Sequence, residues 1–355
     1  MDKAEVLRLV EAGEIVSEAS LAGLDLSGAD LSGAIFEKVI FQGANLSGAT
    51  LKESVFSNCI FDDADLTKAN LHHVTMQKSS LTRVKLTGTY VPAARFIECE
   101  LRETNWVDTN LLTTIFITCD LSKASFTGAN LDRTQFLEKT KLDGATFAGA
   151  KISSVVLLKA DLRKTVLQGA KWYLSIFLSS DLTGQNLAGM DLELCQFQDA
   201  EMAGCDLREA NLTQCNFKSA ILTGAKLDAS NAHRAMFAQA KLEKASFVKA
   251  NLKESLFAEA VAPDADFSYA DMQMAIFIRA ECRGAKFIGA EMTYAEMSHA
   301  DVTNADFSGA TLMRTRLHAI KDDGATFGPG KLVSVGTDSD TAEAENWQPQ
   351  QVSQT

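Results

Sequence analysis

Large apolar residues recur in this chain at every fifth position. In the stretch 19–36, "ASLAGLDLSGADLSGAIF", residues Leu21, Leu26, Leu31 and Phe36 stand five apart. A helix places apolar residues about every 3.6 positions and a half-buried strand every second one, so a period of five suits neither. From Leu21 the step of five lands on Leu, Phe, Met, Val or Trp as far as Phe136. The phase then slips by one residue, and from Leu142 the same step runs on to Leu317, with only Ala232, Ala262 and Cys282 undersized. Two residues before each large residue stands a smaller one, usually Ala and otherwise Ser, Thr, Val or Cys; Ala29, Ala44, Ala64, Ala129, Ala210 and Ala305 are typical. "ADLSG", "ANLSG" and "ADFSG" are the plainest copies of the unit.

Dozens of copies in phase make this a repeat architecture. Over residues 19–327 the chain resembles the pentapeptide-repeat proteins. The resemblance implies an all-β fold, a right-handed, four-sided parallel β-helix with four repeats per coil. In such a coil the small and the large residue point inward and the other three face out. Each coil then covers the open edge of the next, so a thin solenoid gains a core that isolated strands lack.

A coil of four repeats requires residues 20 apart to stack, and the sequence correlates at that spacing. Phe36, Phe56, Met76, Phe96, Phe116 and Phe136 form one series, and Phe177, Phe197, Phe217, Phe237, Phe257 and Phe277 another. Leu157, 21 after Phe136, joins them, so the slip in "LEKTKL" (137–142) reads as one residue bulging outward. A second column runs Phe247, Phe267, Phe287, Phe307, Phe327. Coils about 4.8 Å apart, about 15 of them, would make a rod roughly 70 Å long.

The ends break the pattern. Asp2 and Glu5 match a capping box, with Val6, Leu9 and Val10 on one helical face, so residues 2–12 read as a short amphipathic helix covering the first coil. The expected organisation is a capping segment and lead-in over 1–18, the β-helix over 19–330, and a tail over 331–355. That tail is polar, acidic and Gln-rich, and is expected to be disordered; its lone Trp347 reads as incidental.

The net charge of −12 argues against a broad phosphate-binding surface, and no direct nucleic-acid binding is expected. The N-terminus carries acids and lacks an apolar core of signal-peptide length, and no stretch approaches the roughly 18 apolar residues of a membrane helix. The expected compartment is the cytoplasm. Cys59, Cys99, Cys119, Cys195, Cys205 and Cys215 fall at small inward positions and Cys282 at a large one, so they read as buried hydrophobes, not as a disulfide framework. His72 and His73 adjoin on an outer turn, and His299 and His318 fall on neighbouring coils. With no third ligand apparent, these read as solvated histidines, and no metal or cofactor is implied. Phosphate loops and nucleophile elbows are lacking, carboxylates recur with the repeat without converging, and a filled tube offers no cleft, so an enzyme is not expected.

The outer faces therefore carry the function. The face centred on Phe36 and its successors has apolar outward neighbours, densest at Ile115, Ile117, Leu137, Val156, Leu158, Ile176 and Leu178, with Leu174 on the corner before it. Strand propensity should act on all four faces alike, so this stripe reads as a protein contact, with a partner protein or a second copy in a homodimer. On the adjoining face Glu100, Asp120, Asp161, Asp181 and Glu201 form a candidate acidic ladder, interrupted by Lys141 and flanked by Arg102 and Arg163. The resemblance attaches a role to such a ladder, since some members linked to quinolone resistance imitate duplex DNA and bind DNA gyrase. Others accompany bacterial secretion systems as accessory factors or effectors. The sequence favours a non-catalytic bacterial scaffold over either.

Overall fold

The computed structural model describes residues 1–346, so Trp347 and the residues after it lie outside the described residues. Contacts divide the chain into two compact units, Met1–Asn216 and Phe217–Thr355. The recurring element in both is a coil of four sides that stacks in parallel on its neighbour, making a β-solenoid. No helix among the described residues is long and apolar enough to cross a membrane.

In the first unit, helix α1 (Lys3–Glu11) opens with Asp2, whose carboxylate accepts the Glu5 amide at 2.9 Å. Val6 is its fully buried residue, and the helix contacts strand β1 (Val16–Ser17). Six three-residue strands follow at one per coil: β2 (Ile35–Glu37), β3 (Val55–Ser57), β4 (Thr75–Gln77), β5 (Arg95–Ile97), β6 (Ile115–Ile117) and β7 (Gln135–Leu137). They pair in parallel with Phe36 opposite Phe56 and Phe96 opposite Phe116. The other three sides of these coils are joined by single bridges such as Ile40–Ile60, Asn45–Asp65 and Thr50–Asn70.

Spacing along the ladder is 20 residues up to β7, then 21, as in Asp120–Lys141, Ser125–Thr146 and Asn130–Lys151. The added residue is taken up where Glu138 and Lys139 both turn left-handed and face solvent, with φ of 47° and 59°. Thr140 returns inward. Beyond the bulge come β8 (Lys151–Ser153), β9 (Val156–Leu157) and β10 (Lys171–Tyr173). Strand β9 completes the eight-stranded sheet beside β7, while β8 pairs with β10.

The core is a set of stacked aromatic columns. Phe36–Phe56 and Phe116–Phe136 lie parallel at 4.9 and 5.2 Å between ring centres, with Phe126 and Phe147 in a second column at 5.0 Å. Trp106 donates its indole N–H to Thr104 Oγ1 at 2.7 Å, which lets a large polar-edged ring stay fully buried.

The second unit repeats the coil with fewer extended strands. Phe237–Phe257 and Phe257–Phe277 stack at 4.8 and 4.5 Å, and Phe287–Phe307 at 4.7 Å. The extended pairs are β11 (Asp306–Phe307) and β12 (Thr326–Phe327). The sequence expectation of disorder from residue 331 differs from what these residues do up to 346. Pro329–Val333 form a 3-10 turn, Val335 bridges to Arg316, and Ser339–Asn346 form helix α2. Asp338 begins that helix by accepting the Thr341 amide at 2.7 Å.

Candidate interaction surface

The apolar candidates sit together on the sheet of the first unit. Ile115 pairs with Gln135, which pairs with Val156, which bridges to Ile176; Ile117 pairs with Leu137 on the parallel column. Leu158 and Leu178 follow the strand positions 156 and 176 by two residues, and the Lys159 amide donates to the Leu178 carbonyl at 3.0 Å. All are half-buried except Leu174, which is 41% exposed. Beside the bulge, Thr118, Glu138, Lys139, Leu158 and Lys159 line a shallow groove.

The sequence argument for this stripe assumed four equivalent sides, and the structure corrects that premise. One side carries the eight-stranded sheet of β1–β7 and β9, a second side extends only at β8 and β10, and the rest is joined by single bridges. β-branched residues therefore gather on this side for conformational reasons alone, which accounts for Ile115, Ile117 and Val156. Leucine has no such preference, and Leu158, Leu174 and Leu178 lie outside the strands. Leu174 holds the left-handed corner of its repeat, φ 52°, a strained place for a bulky side chain that Leu194, Tyr269, Met274 and Tyr294 occupy in other coils.

A local pattern accompanies the extended strands. Each three-residue strand of the first unit is followed, two residues on, by a side chain larger than alanine: Val39, Cys59, Ser79, Cys99, Cys119, Thr140, Val155 or Ser175 (three residues on at Thr140, across the bulge). Other corners close as tight turns, at alanine as in Ala44, whose amide donates to the Phe41 carbonyl at 2.9 Å, and equally at Val74 and Cys195, on Leu71 and Leu192 at 3.1 Å. After an extended strand the hydroxyl or thiol turns back to the strand's last carbonyl. Ser79 donates to Gln77 at 3.0 Å, Ser175 to Tyr173 at 3.3 Å and Cys99 to Ile97 at 3.4 Å. Amides freed by the open corner find the next coil's hydroxyl, Cys59 donating to Ser79 at 3.1 Å and Cys119 to Thr140 at 3.3 Å. Size at this position does not select the extended side by itself, since Ser54, Val74, Cys195 and Cys215 close tight turns elsewhere and Ala160 follows β9 with its amide on the Ser180 hydroxyl.

All seven cysteines are buried and unbridged. Burial pushes the Cys59 thiol up to about 11 and those of Cys195, Cys205 and Cys282 up to about 12. Hydrogen bonding to Cys99 and burial hold the Cys119 thiol far above its ordinary value.

The acidic candidates do form a ladder, with Glu100 bridged to Asp120 and Asp161 to Asp181 to Glu201. Its charge is largely compensated. Arg102 lies 2.6 Å from Glu100 and 3.7 Å from Asp120, and Lys141 3.9 Å from Asp120. Arg163 lies 2.6 Å from Asp161 and 3.2 Å from Asp181, and its hydrogen bond holds the Asp161 carboxyl below the usual range.

In the second unit the reading of His318 as solvated is overturned. Its side chain is only 5% exposed, because α2 folds back over it and brings Glu345 to 3.2 Å from both His318 and His299. The third donor that the sequence lacked is thus supplied from 27 residues away.

The family model for pentapeptide repeats matches eight stretches, 17–52, 51–88, 94–133, 137–170, 175–214, 210–247, 245–281 and 280–318. The chain belongs to the pentapeptide-repeat family. Among solved structures of such proteins it is similar to full-length QnrB1, a plasmid-mediated fluoroquinolone resistance protein, at 19% identity over 60% of this chain and 92% of that one, with a TM-score of 0.33. It is also similar to HetL, involved in heterocyst differentiation regulation in the cyanobacterium Nostoc, at 25% identity over 89% and 96%, with a TM-score of 0.23. No curated protein matches the chain. Pentapeptide repeats account for the five-residue period, and the family's inward pair of residues is the small and large pair seen buried here.

Proposed function

We propose that this pentapeptide-repeat protein is a non-catalytic scaffold that holds another protein, or a second copy of itself, against the apolar side of residues 1–216. The observation that carries this reading is leucine where conformation gives no reason for it. Leu174 is 41% exposed in a left-handed corner, and Leu158 and Leu178 continue the patch beyond the strands. Burial in an interface offsets both the strain and the exposure. The coil interior is filled by stacked rings, which leaves the outer faces for binding.

The test is the triple substitution Ile117→Asp, Leu158→Asp and Leu178→Asp. These side chains point away from the core, so circular dichroism should be unchanged. Self-association in sedimentation velocity, or partner capture from the native cell, should fall at least tenfold; unchanged profiles in both dispose of the contact surface. Imitation of DNA toward gyrase is the weaker reading, since Arg102, Lys141 and Arg163 neutralise most of the ladder. Supercoiling by purified gyrase should accordingly be unaffected at micromolar protein, and inhibition there would reverse the order of the two readings.

A further inference from the structure

Among the described residues, His299, His318 and Glu345 bring three metal-ligating side chains to one point, their donor atoms all within 4.8 Å of one another. The two imidazoles are placed by backbone. The His299 amide donates to the His318 carbonyl at 2.9 Å, which locks neighbouring coils at this height. Glu345 comes from the far end of α2, with Oε1 3.2 Å from His299 Nε2 and Oε2 3.2 Å from His318 Nε2. Ligands held about 2.0–2.1 Å from a tetrahedral zinc ion are about 3.3 Å apart, close to both of these separations. The site opens on a cleft of about 210 Å³ whose lining includes Ser298, Arg316, Asp338 and Thr341. Arg316 is engaged by Glu296 at 3.4 Å, and the Asp338 carboxylate accepts the Thr341 amide at 2.7 Å.

We propose that His299, His318 and Glu345 form a binding site for a divalent transition-metal ion of the zinc class, which pins α2 onto the last coils of the second unit. Two imidazoles and one carboxylate are a borderline N/O donor set, suited to Zn²⁺ and unsuited to Mg²⁺ or Ca²⁺. Three protein ligands leave a fourth position for water from the cleft. Because one ligand lies on the tail helix, metal binds only when that helix is docked, and uptake and docking stabilise each other.

The hydrogen bonding around His318 gives the proposal a sharp edge. The Asp338 amide donates to His318 Nδ1 at 3.3 Å, which puts the imidazole proton on Nε2, facing Glu345. A metal on Nε2 needs that proton on Nδ1, the usual arrangement for a ligating histidine. Metal uptake therefore breaks the Asp338 contact while tightening α2. A purely hydrogen-bonded clamp keeps both together.

The test uses the full chain freed of metal by chelation and titrated with Co²⁺, then Zn²⁺. One Co²⁺ per chain should give visible absorption bands that Zn²⁺ abolishes. His299→Ala and Glu345→Gln, both at partly exposed positions, should each weaken uptake at least tenfold, while His233→Ala leaves it unchanged. Amide exchange should slow across residues 339–346 and quicken at Asp338 when zinc is added. Failure of Co²⁺ to saturate overturns the site, as does uptake that survives both substitutions. Zinc-independent protection of α2 that Glu345→Gln removes also overturns it, by assigning the cluster to hydrogen bonding alone.

Discussion

Residues 1–216 and 217–346 run the same coil with different small inward residues, and only the first builds an extended sheet. In the second unit that position is alanine almost throughout, from Ala235 and Ala240 to Ala305 and Ala310. Its corners close as tight turns, with the Ala240 amide on Phe237 and the Ala260 amide on Phe257, both at 3.0 Å. In the first unit Ser, Thr, Cys and Val share the position, and one side opens into an eight-stranded sheet. A larger inward side chain goes with the extended side without being sufficient for it, since Val74, Thr114, Cys195 and Cys215 close tight turns as alanine does.

Raising the pH should separate the two units most strongly. Cys59, Cys119, Cys195, Cys205 and Cys215 in the first unit, and Cys282 in the second, all have thiols raised by the fold. A raised pKa gives stability that is complete below the unfolded value, about 8.5, and lost as pH climbs toward the folded value. At pH 10 Cys59, Cys195, Cys205 and Cys282 each forfeit about 2 kcal/mol. Amide exchange at pH 10 should therefore rise across residues 1–216 well before 217–346; equal loss in both would break the contrast.

Removing a ring from either column should cost the same. Phe116→Ala and Phe257→Ala, each stacked above and below and edge-on to further rings, should lose about 3–5 kcal/mol in denaturant unfolding. A cheap Phe116→Ala would mean that the sheet side tolerates collapse where the tight-turn side does not.

Hydroxyls at the small position should have opposite signs in the two units. Thr140→Ala removes donors to Leu137 at 2.6 Å and Phe116 at 3.4 Å and strands the Cys119 amide, costing about 1–3 kcal/mol. Ser230 is buried with its hydroxyl unpartnered, so Ser230→Ala should stabilise by about 1 kcal/mol. Chemical denaturation of the two variants side by side checks both signs.

The smallest effect is the most pointed. Leu174→Gly relieves the left-handed corner and should stabilise by about 1 kcal/mol while weakening partner capture. Thermal melts and pull-down together read this; a loss of stability with unchanged capture would make Leu174 a structural residue.

Much of this was legible before any coordinates. Phe36 over Phe56 follows from a spacing of 20 residues, and the capping role of Asp2 from three residues of sequence. The apolar stripe was legible as a pattern, but not that its side carries the eight-stranded sheet. Ser79 and Cys99 were legible as small inward residues, but their hydrogen bonds to Gln77 and Ile97 were not.

Taken alone, the order of amino acids determined the coil. A period of five with inward pairs is a local property, repeated until only one stacking satisfies it, and ladder hydrogen bonds do the rest. Tertiary structure alone decided where distant charges meet. Glu345 reaches back 27 residues to His318 and 46 to His299. Nothing periodic encodes such encounters, because they depend on how a corner turns and where the tail comes to rest.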